Sequence, residues 1–204
     1  MSIKEIVKEN QKLKRIAHRM LIPKNEAKPR LWVKVFLNRF FHTKGKGATI
    51  RGSARMDILP FNNFVLGAYS IIEDFCTVNN GVGDVLIGDN TLIGMANVLI
   101  GPIRIGNDVI LAQNVVASGL NHEYRNVDLP ISKQNVTTAP ICIEDECWIA
   151  ANVVITAGVT IGKHCVVAAG SVVTKSIPPY SVAAGNPAKV VKQYSFETKE
   201  WIRV

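Results

Sequence analysis

The 204-residue chain has no apolar run long enough to cross a bilayer. Its first residues lack the apolar stretch and small-residue cleavage site of a secretory signal. These absences make the cytoplasm the expected compartment. Four cysteines, Cys76, Cys142, Cys147 and Cys165, form no CxxC pair, which excludes a disulfide framework and suggests reduced thiols. Acidic residues are scarce only at one end. Residues 1–45 hold 12 Lys/Arg against 3 Asp/Glu, and the remainder holds 12 against 13, so the net charge of +8 belongs to the N-terminal segment. The main body therefore lacks the basic face that a nucleic-acid partner would need, and none is expected. The length suits one domain with a terminal appendage.

What is present is a period. From Leu66, steps of six reach Ile72 and Val78. A nine-residue step leads to Ile87, Ile93, Leu99, Ile105, Leu111 and Ala117, and the series resumes at Ile143, Ile149, Ile155, Ile161, Val167 and Val173. Fourteen of these fifteen positions are Leu, Ile or Val, and the other is Ala. Four residues further on, the position is usually small or β-branched (Ser70, Cys76, Thr91, Val109, Val115, Val153, Val159, Ser171). A period of six fits neither a 3.6-residue helix nor a single alternating strand. It fits short strands joined by tight corners, three hexads closing one triangular coil, so the fifteen hexads make about five coils. Gly, Asn and Asp at the corners (Gly88-Asp89-Asn90, Gly106-Asn107-Asp108) tolerate the required backbone angles. Cys76, Cys147 and Cys165 fall on the small inward position, where a thiol acts as compact apolar filler.

The regularity stops at "VASGLNHEYRNVDLPISKQNVTTAP", Val116 to Pro140, and resumes after it. A wall of inward aliphatic residues presents no chemistry, so function must be added as an excursion from a corner. Residues 118–140 form that excursion and carry His122.

"IGDNTLIG", "WIAANVVITAGVTIGKHCVVAAGSVVTKSIPPYSVAAGNPAKVV" and "GLNHEY" resemble the hexapeptide-repeat acyltransferases. The resemblance is closest to the sugar O-acetyltransferase branch, with its galactoside, maltose, nodulation-factor and capsule or lipopolysaccharide enzymes. It covers Leu66 to Lys192 and implies a left-handed parallel β-helix, an exception to the right-handed crossover rule. It also implies a homotrimer with active sites between neighbours, acetyl-CoA as acyl donor, a saccharide acceptor and no metal.

The chemistry asks for a base to take the hydroxyl proton, a donor for the oxyanion and a cleft for CoA. Of four histidines, His18 and His42 lie in the basic segment and His164 in a corner; His122 follows Asn121 where the family's NH motif carries its catalytic histidine. The resemblance further implies the Ala151 backbone N–H in "WIAA" as oxyanion donor, where Ala stands for a hydroxyl-bearing residue. It implies CoA contacts at Trp148, Ala169, Thr174, Lys175 and Lys192, and acceptor contacts at Asn79, Asn80, Asp84 and Asn121. A backbone carbonyl or Glu123 would orient the His122 ring.

Ile3, Ile6, Val7, Leu13, Ile16, Ala17 and Met20 recur at helical spacing with Lys and Arg opposite, Pro23 and Pro29 interrupt, and "LWVKVFLNRFF" reads as a second short helix. These helices either cover the open end of the solenoid or attach peripherally to the inner face of an anionic membrane. The expected organisation is a helical segment over 1–45, the β-helix over 46–177 and a tail over 178–204. Two other activities occur on such a fold. A xenobiotic acetyltransferase would share the chemistry. A zinc carbonic anhydrase needs three metal-binding histidines, and the coils offer only His164 beside loop His122. A non-enzymatic solenoid would leave His122 in its motif unexplained.

Overall fold

The structure, a computed structural model, describes residues 11–204. The expected helix residues Ile3, Ile6 and Val7 lie outside the described residues. From Thr43 onward the chain winds as a left-handed parallel β-helix of hexapeptide repeats with three flat faces. The first face stacks Thr43–Lys44, Phe64–Leu66, Val85–Ile87, Ile103–Ile105, Ile141–Ile143 and Thr160–Ile161. The second runs from Thr49–Ile50 to Val166–Val167 and gains a further parallel strand at Ser181–Gly185; the third runs from Arg55–Asp57 to Val172–Val173.

All fifteen periodic positions point inward and are at most 2% exposed. Each of the fourteen Leu, Ile and Val side chains contributes about 1.5–3 kcal/mol by leaving water. The smaller inward positions are closed too, and where they are polar they tie coils together. Ser70 Oγ donates to the Gly88 carbonyl (2.7 Å) and Thr91 Oγ1 to that of Gly106 (2.9 Å). Asn97 Nδ2 donates to the Gly94 and Ala112 carbonyls, while its Oδ1 accepts from the Val115 N–H. Cys76, Cys147 and Cys165 are buried as expected, their thiols donating to backbone carbonyls at 3.0–3.1 Å. Burial raises all three pKa values, that of Cys147 to about 12, so these thiols are inert filler.

The structure has six strands on the first face, against the expected five coils. The additional coil precedes Leu66: Lys44, Ile50 and Met56 pair directly with Leu66, Ile72 and Val78. The position in register with Leu66 is an exposed lysine, so the aliphatic signal is broken there.

Helix α1 spans Gln11–Leu21; a π-helical segment, Val33–Leu37, leads into α2, Asn38–Phe41. The segment docks beside the corner that follows the first coil. Asn38 Nδ2 donates to the Ile58 carbonyl (2.9 Å), and the His18 ring stacks on Phe61 with centroids 5.5 Å apart. Burial is sparse. Leu21 and Val33 are buried, whereas Leu13, Ile16 and Met20 of the expected apolar stripe stay exposed, as do Trp32, Phe36 and Phe40. At the other end, Ser181–Gly185, Ala188–Ser195 and Glu200–Arg203 form an antiparallel extension of the second face. Its aromatic residues gather over a corner: Tyr180 lies edge-on to Phe196, and Trp201 stacks on His164, whose Nδ1 is 3.0 Å from Glu146. His164 thus belongs to tail packing.

Candidate active site

The excursion leaves the corner between the third and first faces as a two-stranded antiparallel hairpin, Leu120–His122 against Val136–Thr138. Asn121 faces Thr137 in register and His122 faces Val136. Backbone bonds clamp both ends: Ala139 N–H to the Gly119 carbonyl and Glu123 N–H to that of Asn135, each 2.9 Å. The tip is tied by Gln134, whose Nε2 donates to the Asn126 and Leu129 carbonyls at 2.8 and 2.9 Å. An irregular sequence therefore makes an ordered arm. His122 stands on it exposed, and among the described residues its ring makes no hydrogen bond. The orienting partner expected for the imidazole is thus not supplied by these residues. The arm also leaves Tyr124, Val127, Leu129, Ile131 and Val136 exposed, Val127 at 92%.

The expected CoA residues lie elsewhere on the prism. Trp148 stands exposed on the second face, in register between Ile110 and Val166. Ala151 and Ala169 follow the paired residues Ile149 and Val167, so they occupy the corner between second and third faces on adjacent coils. Among the described residues neither amide N–H is engaged in a hydrogen bond, while the Ala151 carbonyl accepts from Gly170 N–H at 2.9 Å. Two unengaged donors one coil apart are a suitable cradle for carbonyl or oxyanion oxygens. Lys192 is exposed on the antiparallel extension of the second face, paired with Val182 and Arg203. Thr174 and Lys175 come after Val172–Val173, at the same corner from which the His122 arm springs, and both are exposed. The width of the third face therefore separates the root of the His122 arm from Ala151 and Ala169 within one chain.

The expected acceptor residues divide. Asn80 is fully buried; its Nδ2 donates to the Leu59 and Asn62 carbonyls and its Oδ1 accepts from Leu59 N–H, so its amide builds the corner and is not presented to a ligand. Asp84 is engaged in the same work, its oxygens accepting from the Asn63 backbone (2.7 Å) and side chain (3.2 Å). Asn79 Oδ1 accepts from Gly81 N–H, yet the residue also lines a cleft of about 730 Å³ between α1, residues 22–30 and this corner. Sequence reasoning missed the cleft's cations, Arg19, Lys24 and Arg30. The concentration of positive charge before residue 45 was visible, but not which of its members face inward.

Comparison with known proteins places these features. The pattern of bacterial transferase hexapeptides (six repeats) matches residues 143–175, and the hexapeptide repeat of succinyl-transferases matches 84–117. A Mycobacterium tuberculosis protein assigned as an acetyltransferase is 34% identical over 157 residues, covering 75% of this chain and 51% of its own. The Escherichia coli protein WbbJ, assigned as an O-acetyl transferase of lipopolysaccharide biosynthesis, is 34% identical over 149 residues, covering 68% of this chain and 73% of its own. The maltose O-acetyltransferase of Clostridium difficile superposes with a TM-score of 0.53 at 28% identity, covering 94% of this chain and 89% of that one. The chain thus spans about half the length of the mycobacterial relative and nearly three quarters of WbbJ. The fold defines a left-handed β-helical scaffold of hexapeptide repeats. The chain belongs to the hexapeptide-repeat acyltransferase family, in its sugar O-acetyltransferase branch.

Proposed function

We propose that the protein transfers an acetyl group from acetyl-CoA to a hydroxyl of a saccharide, an intermediate of surface-polysaccharide synthesis, with His122 as general base. The observation that carries this reading is the arm: in a chain of this family, it holds one histidine exposed, its ring unengaged among the described residues, on a backbone clamped at both ends. His122 removes the hydroxyl proton as the oxygen attacks the thioester carbonyl. The Ala151 N–H receives the oxyanion; collapse breaks the C–S bond, and the imidazolium returns the proton to the departing CoA sulfur. Asn121 and Asn79 contact the acceptor. Trp148, Ala169, Thr174, Lys175 and Lys192 hold CoA, the lysines suiting its phosphates.

The working unit is a homotrimer. In support, the outer surfaces of two faces carry aligned exposed apolar residues, Ile110 over Trp148 and Val116 over Val154, and the arm exposes more. A shared cleft would bring an arm to a neighbour's Ala151 and Ala169. The test is acetyl-CoA turnover against nucleotide sugars, oligosaccharides and chloramphenicol-like alcohols. Acetylation of a saccharide hydroxyl is the expected result, and turnover of the alcohols alone would transfer the activity to a xenobiotic.

The cytoplasmic protein works at the inner face of the membrane through residues 1–45. Among the described residues no helix is long and apolar enough to span a bilayer. The exposed Ile16, Met20, Trp32, Phe36 and Phe40, set among Lys and Arg, suit shallow insertion beside anionic headgroups. The full chain is expected to sediment with phosphatidylglycerol vesicles and to be released by salt. Phe36→Asp/Phe40→Asp should weaken that binding. Equal recovery in the supernatant with neutral and anionic vesicles would leave the segment a purely structural role.

A further inference from the structure

The cleft behind Asn79 has a chemistry of its own. Its lining includes Ile22, Leu59 and Val82, and Arg19, Lys24 and Arg30 line it too against one acid, Glu26. None of these four makes an ion pair among the described residues. One donor of Arg30 is engaged: its Nη2 reaches the Arg19 carbonyl at 3.3 Å, near the end of α1. The partial negative charge of a helix C-terminus accounts for that one contact. Among the described residues it leaves the rest of the Arg30 fork, the Arg19 guanidinium and the Lys24 ammonium without a partner of opposite charge. The cleft is held in place from both sides, by the His18–Phe61 stack and by the Arg30 N–H bond to the Leu21 carbonyl (2.9 Å).

We propose that this cleft binds the diphosphate of a glycosyl-diphosphate acceptor, with Arg19 and Arg30 as phosphate forks and Lys24 as the third cation. The identity of the substrate rests on the saccharide reading above; the anion site does not. Planar guanidinium forks match paired phosphate oxygens, and about 730 Å³ is ample for a diphosphate and its first substituent. Position points the same way. On the third face Asn79 pairs with Ile100, and Ile100 pairs with Ser118 at the root of the His122 arm. Two inter-strand steps amount to about 10 Å along one edge of the prism, a distance that a sugar ring bound to its diphosphate spans. Anchoring the diphosphate would therefore carry sugar hydroxyls toward the arm and leave the reacting end unconstrained by charge. The diphosphate belongs equally to a nucleotide-linked or a lipid-linked sugar, and the apolar lining residues suit either.

The experiment is calorimetric titration of the full chain with inorganic pyrophosphate, UDP and farnesyl diphosphate. Saturating CoA is present so that phosphate sites for the donor do not report. At least one probe should bind. The Arg19→Gln/Arg30→Gln double variant should weaken it tenfold or more, while His122→Ala binds like the parent. Both arginines are exposed, so circular dichroism should show an unchanged fold. Tighter binding of UDP would identify a nucleotide-linked acceptor, and tighter binding of farnesyl diphosphate a lipid-linked one. Absence of binding by all three probes, or binding unchanged in the double variant, would overturn the proposal. Because the readout is equilibrium binding, it is independent of whether saccharide acetylation itself is found.

Discussion

His122→Ala is expected to reduce acetyl transfer by about 10²–10⁴-fold, the contribution of a positioned general base. The reason is local. Without the imidazole, the attacking hydroxyl must lose its proton to water while the thioester carbonyl is being attacked, and nothing else on the arm replaces it. Glu123 follows on the chain but sits where the hairpin closes, its N–H fixed to the Asn135 carbonyl. The substitution removes an exposed ring that makes no hydrogen bond among the described residues, so the melting temperature should stay that of the parent. Affinity for CoA should also hold, because the ring is assigned to the acceptor and the proposed CoA contacts Trp148, Ala169 and Lys192 are on other parts of the prism. Loss in turnover at constant CoA affinity is the signature of a group acting on the acceptor in the transition state. Turnover within a few-fold of the parent would remove His122 from the mechanism.

Much of the fold was legible because one physical demand repeats. A triangular coil needs one aliphatic residue inward per side, and all fifteen positions that answer the demand in the sequence are in the core. The first coil escaped notice because Lys44 occupies its first register position and stays exposed, where a solenoid end imposes no such demand. The arm was legible as an interruption, but its order was not. That order comes from Gln134 bonding back to Asn126 and Leu129, a contact between residues whose proximity no spacing rule suggests. Asn80 and Asp84 show the opposite case. Polar residues in an irregular stretch read as ligand contacts, and here their polarity closes a corner whose own backbone groups need partners. The tail was illegible for a third reason. Tyr180, Tyr194, Phe196 and Trp201 follow no period, and they assemble only because the chain doubles back on the second face.

A complementation experiment should have the other large effect, and the geometry selects its partners. Lys175 leaves the prism at the same corner as the His122 arm, so pairing substitutions at those two residues would not report on a neighbour. Ala169 is at the corner between second and third faces, across the third face from the root of the arm, exposed and, among the described residues, with its amide N–H unengaged. Ala169→Trp would fill the proposed CoA cleft without disturbing the core, and His122→Ala would remove the base. Each variant alone is expected to be inactive. Unfolded together in equal amounts and reassembled, they should regain activity if an arm works against a neighbour's wall, since about one cleft in four would then pair an intact His122 with an intact Ala169 in a cyclic trimer. Recovery near a quarter of the parent's rate is a change of at least an order of magnitude over either variant, too large for residual turnover to imitate. Mixed trimers verified by mass that stay inactive would mean that each chain's arm folds back over its own third face to meet its own Ala169. The exposed apolar tip of the arm, Tyr124, Val127 and Leu129, would then lie against that face, and its exposure in the isolated chain argues for the neighbour instead.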